Sequence, residues 1–482
     1  MSADEVMQDA TLDGRMPILP QERIFVSFIP FLWTCTILGS AIWVFLIGAG
    51  IAALGDIRTT IPGFLIGLVL GMLPPILSSG FPSFRYGVDT TDASKPAFGS
   101  RGALFTLVGM LYVVCAWQSV VTAFIARGTA TVIARDTGGS ISRPLEIFVA
   151  LAVVAAAWVI VWRGPRLLER VNNIVAPILL LLALLMLALL AIRIGVPALW
   201  SGAAPSSGRM NLGPHLTLVT AVELGIGVSF GNWPFMGGLL RLVRYRRHVV
   251  APPMLGMGLI GLGFGASVSA MIAVALPSDD PIMWILDLGG PHFGTPIALA
   301  ILIGNIAVVG LLSYFAAIAI QQIKLIERMR WMAIIGLMLV PSIIAAFKID
   351  ATLSAVIAIA NYQGMVMVGL ASVCSADYFI LRKQKLDLPQ LFVTGRFGKY
   401  WFWRGINWIA VASVVVSAAV YRTLFDPATQ ESARAFRYLG ASIPAYIVGA
   451  TVYVGTMLLI RRFTTVGGYG ETEASTVAEV SL

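Results

Sequence analysis

The feature that most constrains this chain is a series of long apolar segments joined by short polar connections. A helix that crosses a bilayer needs about 20 mainly apolar residues, and twelve segments of the sequence reach or approach that length. Charged residues make up only 12% of the chain, against about 25% in a typical soluble domain. The sequence therefore predicts an all-α membrane protein with twelve transmembrane helices. The predicted spans are 25–53, 61–82, 103–126, 144–162, 174–194, 216–240, 251–276, 294–320, 331–347, 352–381, 402–422 and 438–461.

The distribution of positive charge predicts how these spans are oriented. Cytoplasmic loops carry an excess of Lys and Arg, and with an inner N-terminus about two thirds of the 33 Lys and Arg residues fall on the cytoplasmic side. Twelve spans then place the polar ends 1–24 and 462–482 in the cytoplasm, as tails of a multi-pass protein of the inner (plasma) membrane. The net charge of +9 follows from this topology, so we expect the lipid bilayer and no nucleic acid as a partner.

Two of the predicted spans contain helix breakers near their middle. Span 1 is interrupted at Gly39–Ser40, and span 6 contains "GVSFGNWPFMGGLL", in which Gly and Pro flank an Asn–Trp pair. The interruptions fall at matching positions in two blocks of five spans, 25–194 and 216–381. An odd-numbered block inverts its topology when it is repeated, and discontinuous helices of inverted repeats surround the substrate site of many transporters. We therefore predict a 5+5 inverted-repeat core with discontinuous helices 1 and 6, and spans 11 and 12 (402–461) outside it.

Aromatic and amide side chains near these breaks indicate the kind of ligand. Trp117 and Gln118 lie near the middle of span 3, and the Asn–Trp pair lies in the break of span 6. Stacking of a base on an aromatic ring contributes about 1–3 kcal/mol, and side-chain amides pair with an amide-bearing heterocycle. Packing and interhelical hydrogen bonds are the alternative explanation for each residue taken alone. The predicted substrate-binding residues are Trp117, Gln118, Trp233, Asn232, Gly39 and Ser40.

Glu223 is the acidic residue that the sequence places well inside a predicted span. A charge at the bilayer centre costs at least about 2.5–3.5 kcal/mol, so Glu223 is expected to be near water, paired or protonated. It is therefore a candidate for proton coupling, with an interfacial carboxylate as the alternative. Other polar residues in the spans are weaker candidates, because such side chains often only join helices; they are Asn305, Ser313, Asn361, Tyr362 and Gln363.

Three stretches resemble the nucleobase–cation symporter family, which contains cytosine, purine, allantoin and hydantoin permeases. They are "RYGVDTTDASKPAFGSRGA" (85–103), "SADYFILRKQKLDLPQLF" (375–392) and "RGINWIAVAS" (404–413), and the resemblance extends over roughly 25–460. It implies a leucine-transporter-type fold with a site between spans 1, 3, 6, 8 and 10. It also implies that Trp117 and Trp233 sandwich the substrate.

The resemblance breaks down at the coupling ion. Sodium-coupled members carry a Ser/Thr pair in span 8, whereas this chain has "NIAVVGLLSYFAA", with Ser313 as its one Ser or Thr. We therefore expect a proton, taken up at Glu223, rather than Na⁺. If the ion is Na⁺, its expected ligands are backbone carbonyls near Ile37 and Ser40, together with Ser313.

These observations predict a secondary active transporter that imports a nucleobase or related planar amide heterocycle by cation symport and alternating access. We find no catalytic triad, phosphate-binding loop or HExxH motif in the sequence, so we expect neither an enzyme nor a cofactor beyond the coupling cation, H⁺ or Na⁺. A thiamine or amino-acid type carrier on the same fold remains an alternative, as does a membrane channel or receptor. The sequence leaves the exact heterocycle and the oligomeric state open.

Overall fold

The computed structural model describes residues 14–195, 197, 213–276, 280–464 and 466–469, and this part of the chain contains helices and no β-strand. Eight helices are long and apolar enough to cross a membrane, or ten if each of two bent helix pairs is taken as one span. Predicted spans 9 and 11 are apolar helices of 17 residues. The number of twelve crossings stays a prediction, as does the placement of the two tails, which lie largely outside the described residues.

Several helices are longer than the apolar stretches that predicted them. Spans 3 and 5 extend well past their predicted limits, because their charged or polar ends continue the helix beyond the apolar part. The helix assigned to span 8 begins at Pro281, but a kink at Gly290, whose φ is 62°, separates this first part from the predicted span. The observed helices, in span order, are Phe28–Gly39 with Trp43–Leu54, Ile57–Tyr86, Ala103–Thr137, Arg143–Trp162, Pro165–Ile194, Pro214–Phe230 with Trp233–Leu240, Arg246–Ala275, Pro281–Gly304 with Ile306–Ile320, Trp331–Phe347, Val356–Leu381, Trp408–Leu424 and Ser442–Ile460.

The two predicted discontinuities are confirmed. Half-helices Phe28–Gly39 and Trp43–Leu54 of span 1 meet at 60°, and half-helices Pro214–Phe230 and Trp233–Leu240 of span 6 meet at 47°. Each break falls where Gly weakens the helix, and Pro234 occupies the first turn of the second half of span 6, a position that Pro tolerates.

Both broken helices pack closely through glycine on a helix of the opposite repeat. A Cβ atom on Gly39 in span 1 would lie 2.3 Å from the carbonyl oxygen of Met257 in span 7. A Cβ atom on Gly225 in span 6 would lie 2.3 Å from the carbonyl oxygen of Phe64 in span 2. Span pairs 1–7 and 6–2 exchange under the inverted-repeat relation, so the packing agrees with the predicted 5+5 core. Small residues permit such close helix contacts in membranes.

The "DYFILR" motif at the end of span 10 has a structural role. One oxygen of Asp377 accepts hydrogen bonds from the hydroxyl groups of Tyr453 at 2.9 Å and Tyr469 at 2.6 Å. Its other oxygen accepts from Nε of Arg382 at 2.7 Å, and the Arg382 guanidinium lies 4.1 Å from the Tyr469 ring centre. The motif therefore joins spans 10 and 12 to the segment that follows span 12.

Candidate functional site

The break of span 1 is capped by a side chain from span 8. The backbone N–H of Ile42 donates to Oδ1 of Asn305 at 2.8 Å, while the N–H of Ser40 donates to the carbonyl of Thr36 at 2.8 Å. Asn305 is fully buried, and its Nδ2 donates to the carbonyl of Ile301 at 2.8 Å, which fixes the orientation of the amide. The predicted residues Gly39 and Ser40 thus lie at the break, but the cap comes from Asn305.

The break of span 6 is satisfied by its own residues. Asn232 is buried, and its Nδ2 donates to the carbonyl of Ser229 at 3.2 Å and more weakly to that of Val228 at 3.4 Å. The sulfur of Met72 in span 2, 3.6 Å from Nδ2, is a weak acceptor from outside the helix. Gln363 of span 10 approaches the same break so closely that a Cβ atom on Gly231 would lie 1.7 Å from its Nε2. The amide predicted for substrate binding, Asn232, is therefore directed at its own helix, and a second amide lies beside it.

The two predicted tryptophans are held by hydrogen bonds to different spans. The indole N–H of Trp117, which is half-buried, donates to Oε1 of Gln363. The Trp117 ring also meets Trp43 edge-on, with ring centres 5.2 Å apart. Trp233 is fully buried, and its indole N–H donates to the hydroxyl of Ser78 in span 2 at 2.8 Å.

Both tryptophans contact one large apolar cluster. Each packs against the same cluster of buried apolar side chains, which includes Phe230 and Met367. Gln363 lies between Trp117 and the break of span 6. An indole ring, an amide and an interrupted backbone are therefore adjacent, which is the combination that a flat amide-bearing ligand requires.

Gln118 and Ser313 form a separate buried connection between spans. The Ser313 hydroxyl lies 3.1 Å from Oε1 of Gln118 and 2.7 Å from the carbonyl of Val309, and Nε2 of Gln118 donates to the carbonyl of Met338 in span 9. Both predicted residues are fully buried. Gln118 thus joins spans 3, 8 and 9 in this conformation.

Glu223 caps the first turn of span 12. Its carboxylate accepts from the backbone N–H groups of Ala441 and Ser442, each at 3.0 Å, and from the hydroxyl of Ser442 at 2.6 Å. Tyr421 of span 11 adds a further side-chain hydrogen bond. A carboxylate is favourable at a helix N-terminus, because the free N–H groups and the helix dipole both stabilise negative charge.

The molecule is closed at the end where span 1 begins. The N–H of Phe25 donates to the carbonyl of Leu242 at 3.0 Å, and the N–H of Arg244 donates to the carbonyl of Phe25 at 3.0 Å. This backbone pair, Phe25 with Val243, joins the segment before span 1 to the segment after span 6. A cavity of about 10 Å³ beside Phe25 and Phe315 has room for about one water molecule.

The N-terminal segment strengthens this closed end through buried charges. Arg15 forms two hydrogen bonds of 2.9 Å with Asp92, which lies in the short helix Thr90–Phe98 between spans 2 and 3. Burial raises the pKa of Asp92, but the positive charges of Lys95 and Arg15 outweigh burial and hold that pKa well below its usual value. Arg15 thus ties residues before span 1 to the connection between spans 2 and 3.

Two residues that the sequence ranked low make the most direct contacts with the breaks. Asn305 follows Gly304 at an interruption of span 8, and Gln363 precedes Gly364 in span 10. An amide next to glycine inside an apolar span is the signal that could have selected them, because it places a hydrogen-bonding group where backbones approach closely. Asn361 instead donates to the carbonyl of Pro427 at 3.1 Å, and Tyr362 is exposed.

Comparison with known proteins confirms the resemblance that the sequence motifs indicated. The family model described as a permease for cytosine/purines, uracil, thiamine and allantoin matches residues 248–449. A purine-uracil permease of Arabidopsis thaliana is 23% identical over 448 residues, which is 86% of this chain and 71% of the relative. A hydantoin permease of Microbacterium maritypicum is 41% identical over 51 residues, covering 11% of this chain and 10% of the relative.

Solved structures show the same fold. A nucleobase-cation-symport-1 family transporter in a closed conformation with bromovinylhydantoin bound matches with a TM-score of 0.74 at 16% identity, over 94% of this chain and 98% of that one. Its inward-facing conformation matches with a TM-score of 0.71 at 18% identity, over 95% and 98%. A Na⁺-coupled sialic acid symporter matches with a TM-score of 0.60 at 12% identity, over 95% and 96%. The chain thus has the leucine-transporter-type fold.

Proposed function

We propose that this transporter, similar to the nucleobase–cation symporters, takes up a nucleobase or related planar amide heterocycle together with a cation. The observation that carries the proposal is the position of the Gln363 amide. Its oxygen accepts from the Trp117 indole, and its nitrogen lies against Gly231 at the break of span 6. A flat amide thus already fits between an aromatic residue and interrupted backbone, and a heterocyclic amide has the same shape and hydrogen-bonding groups.

The contacts of Glu223 support an uncharged substrate over an amino acid. A zwitterionic or cationic substrate needs a charged partner in the site. The carboxylate that the sequence offers for this purpose is buried against the first turn of span 12 and accepts hydrogen bonds from Ser442 and Tyr421. The site near Trp117 and Gln363 is therefore best matched to a neutral ligand.

A binding screen tests the substrate class. The unfolding temperature of the purified protein is measured in the presence of each candidate in turn: cytosine, uracil, purines, hydantoins, allantoin and thiamine. A ligand that binds only the folded state raises this temperature. We expect at least one neutral heterocycle to stabilise the protein, and the Trp117→Ala variant to lose most of that effect. Stabilisation by thiamine alone, or only by an amino acid added to the same screen, would contradict the proposal. Saturable uptake abolished by collapsing the ion gradients separates symport from a channel.

For the coupling ion, we propose a cation at the break of span 1 rather than a proton on Glu223. The cap on span 12 gives Glu223 a structural reason to be buried, which removes the main argument for proton transfer. The last-turn carbonyls of a helix have no partner within that helix, so the carbonyl of Ile37 and the backbone near Ser40 are suitable oxygen ligands. The hydroxyl of Ser313 has one proton to donate, so its oxygen retains lone pairs for a cation.

Uptake by reconstituted vesicles distinguishes the two ions. We expect accumulation to follow a sodium gradient at fixed pH, with Ser313→Ala reducing the sodium dependence. Glu223→Gln should lower the thermal stability and keep the sodium dependence. Accumulation driven by a pH gradient alone, and lost in Glu223→Gln, would instead assign coupling to a proton.

We also propose that the protein lies in the plasma (inner) membrane with both termini in the cytoplasm, as the distribution of Lys and Arg supports. Single cysteines introduced at the exposed positions His292 and Arg247 test this orientation. A membrane-impermeant thiol reagent added outside should label His292→Cys and leave Arg247→Cys unlabelled. The opposite pattern would reverse the assignment.

A further inference from the structure

An unusually basic cavity opens at the closed end of the molecule, away from the proposed substrate site. It has a volume of about 290 Å³. Its charged lining residues are Arg23 before span 1, Arg166, Glu169 and Arg170 at the start of span 5, and Arg244 after span 6. Four guanidinium groups against one carboxylate leave an excess of three positive charges, so the cavity is suited to an anion.

Arg23 is the strongest indication that the cavity has a ligand. Its side chain is only 4% exposed. One of its nitrogens donates to the carbonyl of Val243 at 3.1 Å, but its Nε is buried without a hydrogen-bond partner among the described residues. The guanidinium lies over the ring of Phe84, 5.2 Å from its centre, but no carboxylate among the described residues pairs with it. Burial lowers the pKa of Arg23 to about 10, which is the effect of taking a positive charge out of water without a negatively charged partner. Buried charges are normally paired, so an anionic partner would complete this site.

The chemistry of the lining selects a phosphate group. Arginine binds phosphate oxygens through two parallel N–H groups, which makes it the preferred residue for planar, bidentate recognition of phosphate. Arg166 and Arg170 also lie in the first turns of Pro165–Ile194, where the helix dipole favours negative charge.

Apolar side chains next to the cavity indicate that the phosphate is attached to lipid. Val26 lines the cavity and is 40% exposed. Ile24 also lines the cavity, and Ile29, three residues after Val26 in the first turn of span 1, is 55% exposed. A free phosphate ion gains nothing from such a surface, whereas acyl chains would cover it. Basic pockets between membrane helices on the cytoplasmic side bind anionic headgroups in this way.

We propose that this cavity binds the phosphate headgroup of an anionic phospholipid of the inner leaflet. The headgroup would contact three segments at once: the approach to span 1, the start of span 5 and the exit from span 6. Because these segments lie at the closed inner end, a lipid that bridges them stabilises the inward-closed conformation. The proposal depends on the orientation above and not on the identity of the substrate.

Lipid binding to the purified full-length protein tests the site without any transport measurement. The probes are detergent-solubilised short-chain phosphatidylglycerol, short-chain phosphatidylcholine and inorganic phosphate, and the readout is the unfolding temperature. The variant Arg166→Gln/Arg170→Gln removes two charges from the lining. The control Arg328→Gln/Arg330→Gln removes the same charge from exposed positions outside the cavity.

We expect phosphatidylglycerol to stabilise the wild type and the control. Each basic residue near an anionic surface contributes about a fivefold gain in affinity, so the lining variant should bind roughly 25-fold more weakly. Equal responses of the lining variant and the control would overturn the site. Equal stabilisation by inorganic phosphate, or by phosphatidylcholine, would overturn the assignment to an anionic lipid.

Discussion

The two broken helices occupy equivalent places in the inverted repeats, yet their breaks are stabilised in different ways. In span 1 the free N–H of Ile42 is capped from outside by Asn305 of span 8, and Gly39 is pressed against the backbone of span 7. In span 6, Asn232 bonds mainly to its own helix and weakly to the sulfur of Met72, and the flexible end of the Gln363 side chain lies against Gly231. The first break is thus held by backbone contacts and a buried amide, whereas the second is contacted by side chains that can rotate.

This difference suggests how a symmetric fold acquires an asymmetric site. A break fixed by backbone contacts and a buried amide keeps constant geometry, which suits a cation with strict oxygen distances. A break whose outside contact is a side-chain amide can accept a substrate amide in its place. The repeat thus supplies two similar interruptions. In the function proposed above, the side chains around them make the first a cation site and the second a substrate site.

The largest expected effect comes from Gly39→Ala. The new Cβ would lie 2.3 Å from the carbonyl oxygen of Met257, and backbone cannot move aside without shifting span 1 against span 7. Overpacking of this kind costs about 1–3 kcal/mol, and we expect the upper end, measured by unfolding in detergent. The matched control is Gly50→Ala in the same span, because a Cβ there meets nothing within 4 Å. Similar stability of the two variants would show that the first break is not rigid.

Asn305→Ala should have the next largest effect. It leaves the buried N–H of Ile42 without its acceptor, at a cost of about 1–3 kcal/mol. Hydrogen exchange followed by mass spectrometry should show faster exchange in the peptide containing Ile42. Asn232→Ala is the comparison within span 6, and we expect a smaller loss because the carbonyls it contacts lie within a helix. A larger loss for Asn232→Ala would reverse the contrast between the breaks.

Substitution of the tryptophans tests, through substrate affinity, whether the second break forms part of the binding site. Trp117→Ala or Trp233→Ala should weaken substrate binding by about 1–3 kcal/mol, a loss of roughly 5- to 150-fold, measured by calorimetry on the purified protein. Phe should restore more affinity than Leu, because it retains an aromatic face for stacking. Equal affinities of the Phe and Leu variants would mean that the tryptophans only fill space.

The smallest expected change in stability is that of Gly231→Ala. Its Cβ would collide with Nε2 of Gln363 at 1.7 Å, but that amide can rotate away, so the cost should stay below about 1 kcal/mol, at the lower limit for overpacking. The double variant Gly231→Ala/Gln363→Ala should recover most of the loss, as a double-mutant cycle would reveal. Substrate affinity should fall in both variants. A loss as large as that of Gly39→Ala would show that the second break is also rigid.

The fold was predictable because it depends on local properties of the sequence. Hydropathy located the spans, and Gly39–Ser40 and Gly231–Asn232 located both discontinuities, since a helix fails where its own residues weaken it. Helix ends were less predictable. Span 3 continues as far as Thr137, about ten residues past its apolar stretch. Charged residues can continue a helix into water, and hydropathy detects only the apolar part of such a helix.

The contacts of the site residues were not predictable, because each depends on a distant part of the chain. Gln118 was expected to face the substrate, but it bonds to Ser313, a residue 195 positions away. Glu223 was expected to be near water, paired or protonated, and the partner that it meets is Ser442, 219 positions away. A sequence indicates that a buried polar group needs a partner; it does not indicate which partner the fold supplies. The roles of these residues in binding and coupling therefore stay predictions.

The backbone pair between Phe25 and Val243 has a consequence for energy efficiency. Two backbone hydrogen bonds must break before the two half-helices that they join can separate, and at about 0.5–1.5 kcal/mol each they favour the closed state of this end by roughly 5- to 150-fold. This end can then open only when both hydrogen bonds are broken, so that the two half-helices separate together. A carrier without cargo would rarely cross that threshold, so few ions would leak through unaccompanied, and each ion spent would bring a substrate molecule with it.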